Sequence, residues 1–215
     1  MRRLMIIVPA LLAAGCAANP SGPVVIPLES RAAVPVRPMS TGLFAPDSMG
    51  VPGAMETVAE GTFEPKGTTA MTYDPAIVPS GATATVAMAR VADGMQVRLA
   101  VTGMRPLRTY GAHLHTKPCA TDPKAAGPHY QHNADPKAAA SPPSVDPSYA
   151  NPGNEVWLDL TTDARGAATA ASVQDWEFGE VVPRSLILHA ERTRTADGVA
   201  GTAGARVACL TLSAT

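Results

Sequence analysis

The fold class is indicated most clearly by residues 96–101, which read QVRLAV. Val97, Leu99 and Val101 stand at every second position, and this period places them on one face of a half-buried strand. Asp93-Gly94, just before this segment, is a strong hairpin signal, and it follows another strand-like run at residues 82–91. The sequence therefore predicts two consecutive antiparallel strands here.

The same alternating texture recurs on both sides of this hairpin and predicts eight short strands. They are expected at Thr68–Tyr73, Thr83–Val91, Gln96–Thr102, Thr109–His115, Glu155–Thr161, Ala167–Val173, Ser185–His189 and Arg206–Leu212. Asp163-Ala164-Arg165-Gly166 predicts the turn between the fifth and sixth strands. Eight short strands separated by turn signals predict an all-β sandwich or barrel.

The first 15 residues predict an export signal. Arg2 and Arg3 precede an apolar stretch at residues 4–14, which is too short to span a bilayer. Residues 12–16, LAAGC, resemble the cleavage box of bacterial lipoproteins, in which the cysteine becomes the lipidated first residue, although that box usually has Leu where Ala13 stands. We expect lipid on Cys16 and an exported protein anchored at the outer face of the cell membrane. The alternative is ordinary signal cleavage beside an incidental cysteine.

The chain is predicted to consist of a signal peptide at residues 1–15, a flexible tether at 16–60 and one domain at 61–215. Residues 17–53 are rich in Pro, Ser, Gly and Ala without an apolar period, residues 54–60 are ambiguous, and alternating runs begin near Gly61. With 17 basic and 18 acidic side chains, the chain gives no indication of a nucleic-acid partner. If Cys16 carries lipid, Cys119 and Cys209 remain as one pair.

The five histidines indicate where the chemistry lies. In a strand, residues two apart point to the same side, so His113 and His115 can reach one metal ion while Leu114 points into the core. A His-x-His pair is weak evidence when taken alone. However, the long aperiodic segment at 116–154 follows directly and carries His129 and His132, and such a loop in a compact domain is often functional.

Several short motifs then occur in a characteristic order. They are GAHLH at residues 111–115, Cys119, GPH at 127–129, LILH at 186–189 and GTAGARVAC at 201–209. Their order and spacing resemble the copper/zinc superoxide dismutase family from about Gly61 to the C-terminus. The resemblance implies an eight-stranded Greek-key sandwich with a long metal-binding loop. It also implies dismutation of superoxide, the substrate, to dioxygen and hydrogen peroxide.

The resemblance also assigns roles to individual residues. The implied copper ligands are His113, His115, His129 and His189. In the family, the residue that His129 matches bridges copper and zinc and takes up a proton during the reaction. Arg206 matches the arginine that attracts superoxide, and Cys119 and Cys209 match the disulfide that ties the metal loop to the last strand. A copper-delivery protein is a partner that such a site implies.

The zinc ligands of the family are mostly missing. After His129 the loop holds only His132, and residues 151–154 read NPGN where a second histidine and an aspartate are expected. Asparagine is a poor zinc ligand, so we predict copper without zinc. One alternative rebuilds a zinc site from His129, His132, Asp135 and Asp146. The other makes His132 a solvated loop residue or a hydrogen-bond partner of the copper site.

The family's aspartate four residues after the last copper ligand is replaced by Thr193. Glu191 is the nearest acid, and it either orients an imidazole or forms a surface ion pair with Arg192 or Arg194. Trp157 and Trp176 are expected to fill the core or cap its end.

Three functions follow from these observations. The first is a copper-dependent superoxide dismutase outside the cytoplasm. The alternative is a copper-binding or storage lipoprotein without turnover, which the loss of zinc suggests and the retention of Arg206 speaks against. A metal-free structural domain is the third, and four intact histidines argue against it.

Overall fold

The computed structural model describes residues 55–138 and 144–213, which form two packed β-sheets. The strands are β1 Glu56–Thr62, β2 Ala70–Thr72, β3 Thr83–Val91, β4 Gly94–Thr102, β5 Thr109–His115, β6 Leu160–Thr161, β7 Ala168–Gln174, β8 Ser185–His189 and β9 Arg206–Thr211. One sheet has the order β1-β3-β4-β7 and the other β2-β9-β8-β5-β6. The predicted all-β sandwich is confirmed. Within the described residues, the sheets do not close into a barrel.

Strands that are distant in sequence lie side by side in both sheets. β2 pairs with β9, β4 with β7, and β5 with β8, all antiparallel. Such long-range neighbours are typical of Greek-key connections. The β5–β8 ladder matters most for function, because it pairs Gly111 with His189. The end of β8 is thereby placed beside His113, two residues further along β5.

The interior is built by the alternation that the sequence predicted. Val97, Leu99 and Val101 are at most 1% exposed and lie in the same apolar cluster as Leu114 and Leu186 of the other sheet. Burying an aliphatic side chain of this size contributes about 1.5–3 kcal/mol, so such a row holds the sheets together. Leu114 points into this core, and its neighbours on β5 are turned the opposite way.

The first strand was not predicted, and it corrects the domain boundary. β1 pairs with β3 along Glu56–Thr62, so the domain begins before residue 61 and includes residues that were assigned to the predicted tether. Val58 is the one residue of β1 that is buried, and the pairing shifts register between Thr57 and Ala59. A polar edge strand with a bulge has no clear two-residue period, which is why the sequence left it ambiguous.

The predicted strand at Glu155–Thr161 is also corrected, since only Leu160–Thr161 forms a regular ladder. The preceding residues bridge two different partners: Glu155 bridges Gln131, and Trp157 bridges His113. Because the partner changes along the segment, no continuous ladder forms, although the residues remain extended beside β5.

Both predicted turns are present. Val91 pairs with Gly94, so Ala92 and Asp93 form the loop and Gly94 opens β4. A Cβ on Gly94 would lie 2.1 Å from the carbonyl oxygen of Gln174, so glycine is required where β7 passes close by. In the second turn, Gly166 has a φ of +78° and donates from its backbone N–H to the carbonyl of Asp163.

The helical content of the described residues is one 3-10 turn, Pro123–Ala126. Over the same residues, no helix has the length and apolar character needed to cross a bilayer. The predicted signal peptide, the lipid site at Cys16 and the tether up to residue 54 lie outside the described residues.

Candidate metal centre

Four histidines converge at one end of the sandwich. His113 and His115 lie in β5, His189 ends β8, and His129 bridges His115 from the loop that follows β5. One ring nitrogen from each of the four lies within 4.8 Å of the others. Their side chains are almost entirely buried, the His129 side chain being the most exposed at 10%. The structure thus brings together all four residues that the sequence singled out as copper ligands.

Each ring uses one nitrogen for a hydrogen bond to protein. His113 uses Nε2 toward Thr193 Oγ1 at 2.7 Å, and His129 uses Nδ1 toward Glu155 Oε2 at 2.8 Å. The Nδ1 atoms of His115 and His189 face backbone carbonyls, of Gly127 at 3.0 Å and of Gly204 at 3.4 Å. These contacts decide which nitrogen of each ring is left to face the centre of the cluster.

The opposite nitrogens of three rings are buried and lack partners within the described residues. They are His113 Nδ1, His115 Nε2 and His189 Nε2. A buried nitrogen without a partner is costly, and three that converge fit a bound metal ion well. Neutral imidazole is a good ligand for copper and for zinc. The residues present therefore fit the metal that the sequence implied.

Burial and neighbouring charges keep the rings of His113, His115 and His189 neutral. Burial is the main cause, and it lowers the pKa of His113 and His115 well below the ordinary range and that of His189 to about 3. The neighbouring histidines and the charge of Arg206 lower these pKa values further. At neutral pH the lone pairs of these three rings are consequently available to a metal rather than occupied by protons.

Arg206, at the start of β9, is anchored next to the cluster by backbone oxygens. Its Nη1 donates to the Pro123 carbonyl and its Nη2 to the Gly127 carbonyl, both at 2.7 Å. The Gly127 carbonyl also accepts from His115 Nδ1. One carbonyl therefore links the guanidinium to a candidate metal ligand. Arg206 is half-buried.

The disulfide between Cys119 and Cys209 is present, as predicted. The two Cα atoms are 5.7 Å apart across a sequence separation of 90 residues. The backbone N–H of Cys119 also donates to Thr211 Oγ1 on β9. Cys209 follows Arg206 by three residues, so the bridge fastens the strand that carries the arginine to the loop whose carbonyls hold it.

Comparison with known proteins agrees with this geometry. The family model described as "Copper/zinc superoxide dismutase (SODC)" matches residues 82–211, more than half of the chain. The chain belongs to the copper/zinc superoxide dismutase family. Comparison with curated protein sequences gives no match.

Solved structures with similarity include two bacterial proteins. A Cu/Zn superoxide dismutase from Brucella abortus is 19% identical, with a TM-score of 0.43 over 74% of this chain and 99% of that one. A superoxide dismutase-like protein from Bacillus subtilis is 14% identical, with a TM-score of 0.45 over the same two shares.

Of the residues in the alternative zinc site, His129 alone belongs to the histidine cluster. His132 is outside the histidine cluster, and its exposed ring stacks on Trp176 at 4.7 Å and 8°. Asp135 accepts from Ser144, and Asp146 caps the backbone of Ser148. Within the described residues the four-histidine cluster is the one group suited to a metal. The structure therefore gives no support to His132 as a ligand or to the zinc site rebuilt around it, and both stay alternatives.

The acid that contacts a candidate ligand is Glu155, which the sequence reasoning missed. It is 2% exposed and accepts hydrogen bonds from His129 Nδ1, Trp157 Nε1 and Gln131 Nε2. Glu191, the acid proposed from the sequence, instead pairs with Arg194 at the surface, at 2.6 Å. Its alternative interpretation as a surface ion pair is the correct one.

Of the two tryptophans, Trp176 fills the core, whereas Trp157 is only half-buried. Trp176 is 8% exposed and belongs to the core cluster. The Trp157 ring is half-buried beside His113, with ring centroids 5.8 Å apart. The position of Trp157 could have been predicted from the sequence. In an extended segment Glu155, Trp157 and Asp159 share one face, and the alternate residues are buried in the core.

Proposed function

We propose that the protein is an exported, lipid-anchored superoxide dismutase that works with copper alone. The observation that carries this proposal is the set of converging, unpartnered nitrogens of His113, His115 and His189, with the Arg206 cation beside them. The family supports superoxide as the substrate. The restriction to copper is supported by residues 151–154, which read NPGN where the family's second zinc histidine and aspartate are expected.

The metal would be held by His113, His115, His129 and His189. Bound copper supplies a one-electron couple that oxidises one superoxide to dioxygen and reduces a second, which with two protons becomes hydrogen peroxide. The chain's own residues attract the anion and deliver one proton, and the second proton comes from water. Arg206 attracts and orients superoxide, because a guanidinium stays charged at any working pH and has no lone pair to offer a metal. Because Nδ1 of His129 is held by Glu155, its Nε2 would either bind the metal or, when free of it, carry a proton toward the reduced substrate.

Glu155 supports a site without zinc. In zinc-containing relatives the bridging histidine has a metal on each nitrogen, and here the Nδ1 of His129 is occupied by a buried carboxylate. Both carboxylate oxygens are satisfied by donors, so the charge is stabilised without a second metal. The partner that the bridging histidine loses with zinc is thus supplied by the chain itself.

The test is metal analysis of the purified protein after export and copper loading, together with a superoxide-decay assay. We expect one copper per chain, little zinc and copper-dependent decay. His113→Ala should lose both copper and activity. Tightly held zinc at one per chain contradicts the copper-only proposal. Bound copper without turnover favours the storage function instead.

Export and lipid attachment rest on the N-terminal sequence, from the Arg2-Arg3 start to the box that ends at Cys16. We expect Cys16→Ser to release the domain in soluble form or to leave an uncleaved precursor. Membrane fractionation with and without detergent measures the difference. A variant that stays membrane-associated and still needs detergent for release contradicts the anchor.

A further inference from the structure

A hydrogen-bonded chain runs from His113 to Asp159 through Thr193. His113 Nε2 is 2.7 Å from Thr193 Oγ1, and the Thr193 hydroxyl donates to Asp159 Oδ1 at 2.6 Å. The direct distance from His113 Nε2 to Asp159 Oδ1 is 3.8 Å, too long for a hydrogen bond. Asp159 therefore reaches the imidazole through the threonine.

The direction of this chain is fixed at its aspartate end. Asp159 Oδ2 accepts the backbone N–H of Thr193 at 2.8 Å, and Oδ1 accepts that of Ala112 at 3.3 Å as well as the Thr193 hydroxyl. An ionised carboxylate has no hydrogen to give. The Thr193 hydroxyl must then donate to Asp159, so its oxygen is left to accept from His113 Nε2.

The surroundings of His113 also favour a hydrogen on Nε2 over one on Nδ1. The ring is fully buried, and its other nitrogen, Nδ1, is among the unpartnered atoms of the cluster. Rings of His129 and His189 lie 4.1 and 4.9 Å away, and Trp157 lies at 5.8 Å. A hydrogen on Nδ1 would point into that cluster and meet no acceptor. A hydrogen on Nε2 meets Thr193.

We propose that Asp159, acting through Thr193, is a positioning residue that holds His113 as the Nε2–H tautomer and so aims its Nδ1 lone pair at the metal position. Thr193 occupies the position at which the family is expected to have an aspartate. The carboxylate here comes from Asp159, in a different segment of the chain. In a neutral imidazole one nitrogen bears the hydrogen, so fixing it on Nε2 of His113 leaves the lone pair on Nδ1. The inference rests on the proposed function only in taking the cluster as a metal site.

Asp159→Asn tests the direction of the chain most sharply. An amide has one donor and one acceptor end, so it cannot accept from the Thr193 backbone on one side and the Thr193 hydroxyl and Ala112 on the other. If its NH₂ turns toward Thr193 Oγ1, that hydroxyl donates to His113 Nε2 instead and moves the ring hydrogen to Nδ1. Thr193→Val removes the link altogether, whereas Thr193→Ser retains it.

The first readout needs no copper. Long-range ¹H–¹⁵N NMR of the metal-free full chain carrying Cys16→Ser, at pH 7, reports which nitrogen of His113 bears hydrogen. We expect Nε2–H in the parent and in Thr193→Ser, and a shift toward Nδ1–H in Asp159→Asn and Thr193→Val. The matched control is Thr202→Val, which removes a hydroxyl that donates to the Val199 carbonyl in the same loop. It should leave the tautomer of His113 unchanged.

The second readout is copper affinity, measured by competition with a chelator, with the Cu(II) EPR spectrum recorded alongside. Loss of a partner that orients a metal ligand typically costs about 10–100-fold in affinity, and we expect this for Asp159→Asn and Thr193→Val. The inference is overturned if Asp159→Asn and Thr193→Val both keep the hydrogen on Nε2 of His113 and bind copper as tightly as the parent, whatever their activity. A shifted tautomer with weakened copper binding upholds it even if the parent shows no superoxide decay, in which case the proposed function alone has failed.

Discussion

Glu155 Oε2 lies 2.8 Å from His129 Nδ1, and the carboxylate is 2% exposed. The 191–205 loop covers this pair, because a Cβ on Gly201 would come within 3.8 Å of both Glu155 Oε2 and His129 Cε1. A closed, fully hydrogen-bonded carboxylate therefore fixes the orientation of His129. In the family this ring bridges two metals. Here one nitrogen of His129 contacts the Glu155 carboxylate, and the other three histidines of the cluster lie on its opposite side.

We predict that Glu155→Gln destabilises the protein and impairs dismutation. The amide would place a donor among three existing donors, from His129, Trp157 and Gln131, and leave at least one unsatisfied. The expected loss is about 1–3 kcal/mol in the free energy of unfolding, with a clear fall in copper-dependent superoxide decay. Denaturant unfolding and the decay assay measure the two effects.

The matched control is Glu191→Gln, since Glu191 forms an exposed pair with Arg194. Exposed ion pairs contribute little, so this variant should retain the stability and activity of the parent. If Glu155→Gln and Glu191→Gln had the same stability and activity, Glu155 would have no role in the site.

A second prediction concerns the disulfide. Cys119→Ser should lower the free energy of unfolding, because the bridge closes a loop across 90 residues, for which chain entropy gives roughly 4–5 kcal/mol. The loop that supplies the carbonyls for Arg206 should also loosen, and its amide hydrogens should exchange faster. Thiol labelling of the denatured, non-reduced parent checks the pairing, and reaction of both cysteines would contradict it.

Much of this architecture could be predicted from the sequence, for identifiable reasons. Where one face of a strand is buried, as at Val97, Leu99 and Val101, the two-residue period is clear. The predicted ends of such a strand therefore lie close to those in the structure. The four histidines were found because the motifs around them occur in the order and spacing of the family. β1 was not predicted, because it is a polar edge strand and its pairing with β3 cannot be inferred from the local sequence pattern.

The hydrogen-bond partners of the ligands were harder to predict, because they depend on tertiary contacts. Glu155 lies 26 residues from His129, and Thr193 lies 80 residues from His113. The sequence placed Thr193 where the family has an aspartate, but no sequence signal connected it to Asp159. The acid nearest to a ligand in sequence, Glu191, turned outward. Proximity along the chain was a poor guide where the ligands and their partners come from different strands.

The third prediction follows from the lowered histidine pKa values. In the unfolded chain histidines take up protons below about pH 6.5, whereas in the folded, metal-free protein His113, His115 and His189 resist protonation, the last down to about pH 3. The unfolded state then binds more protons, so folding stability is fully present above pH 6.5 and is lost as pH falls. Each such histidine contributes up to about 1.4 kcal/mol per pH unit.

Urea unfolding of the metal-free protein between pH 7.5 and 5 measures this slope while carboxyl groups stay ionised. His189→Asn should reduce the slope by removing one of the three groups. A free energy of unfolding that is constant across this range, or unchanged in slope by the substitution, would contradict the burial of neutral rings.

The last prediction is that Arg206 acts on the substrate more than on the metal. Its guanidinium donates to the Pro123 and Gly127 carbonyls and does not belong to the histidine cluster. A fixed cation beside the site raises the local concentration of a small anion, and electrostatic steering of this kind is worth about tenfold or more in rate and weakens with ionic strength. Arg206→Ala should therefore slow superoxide decay and flatten its salt dependence while copper content stays near one per chain.

Arg206→Lys separates the charge from the hydrogen bonds. An ammonium retains the cation but cannot span both carbonyls as the planar guanidinium does, so this variant should retain a salt-dependent rate that lies between those of the parent and Arg206→Ala. Stopped-flow decay at several salt concentrations, with copper measured on the same samples, distinguishes the cases. If Arg206→Ala retained the parental rate and salt dependence, substrate guidance by this residue would be wrong. If it instead lost copper, the role of Arg206 would lie in holding the Gly127 carbonyl against His115, and the metal rather than the anion would depend on it.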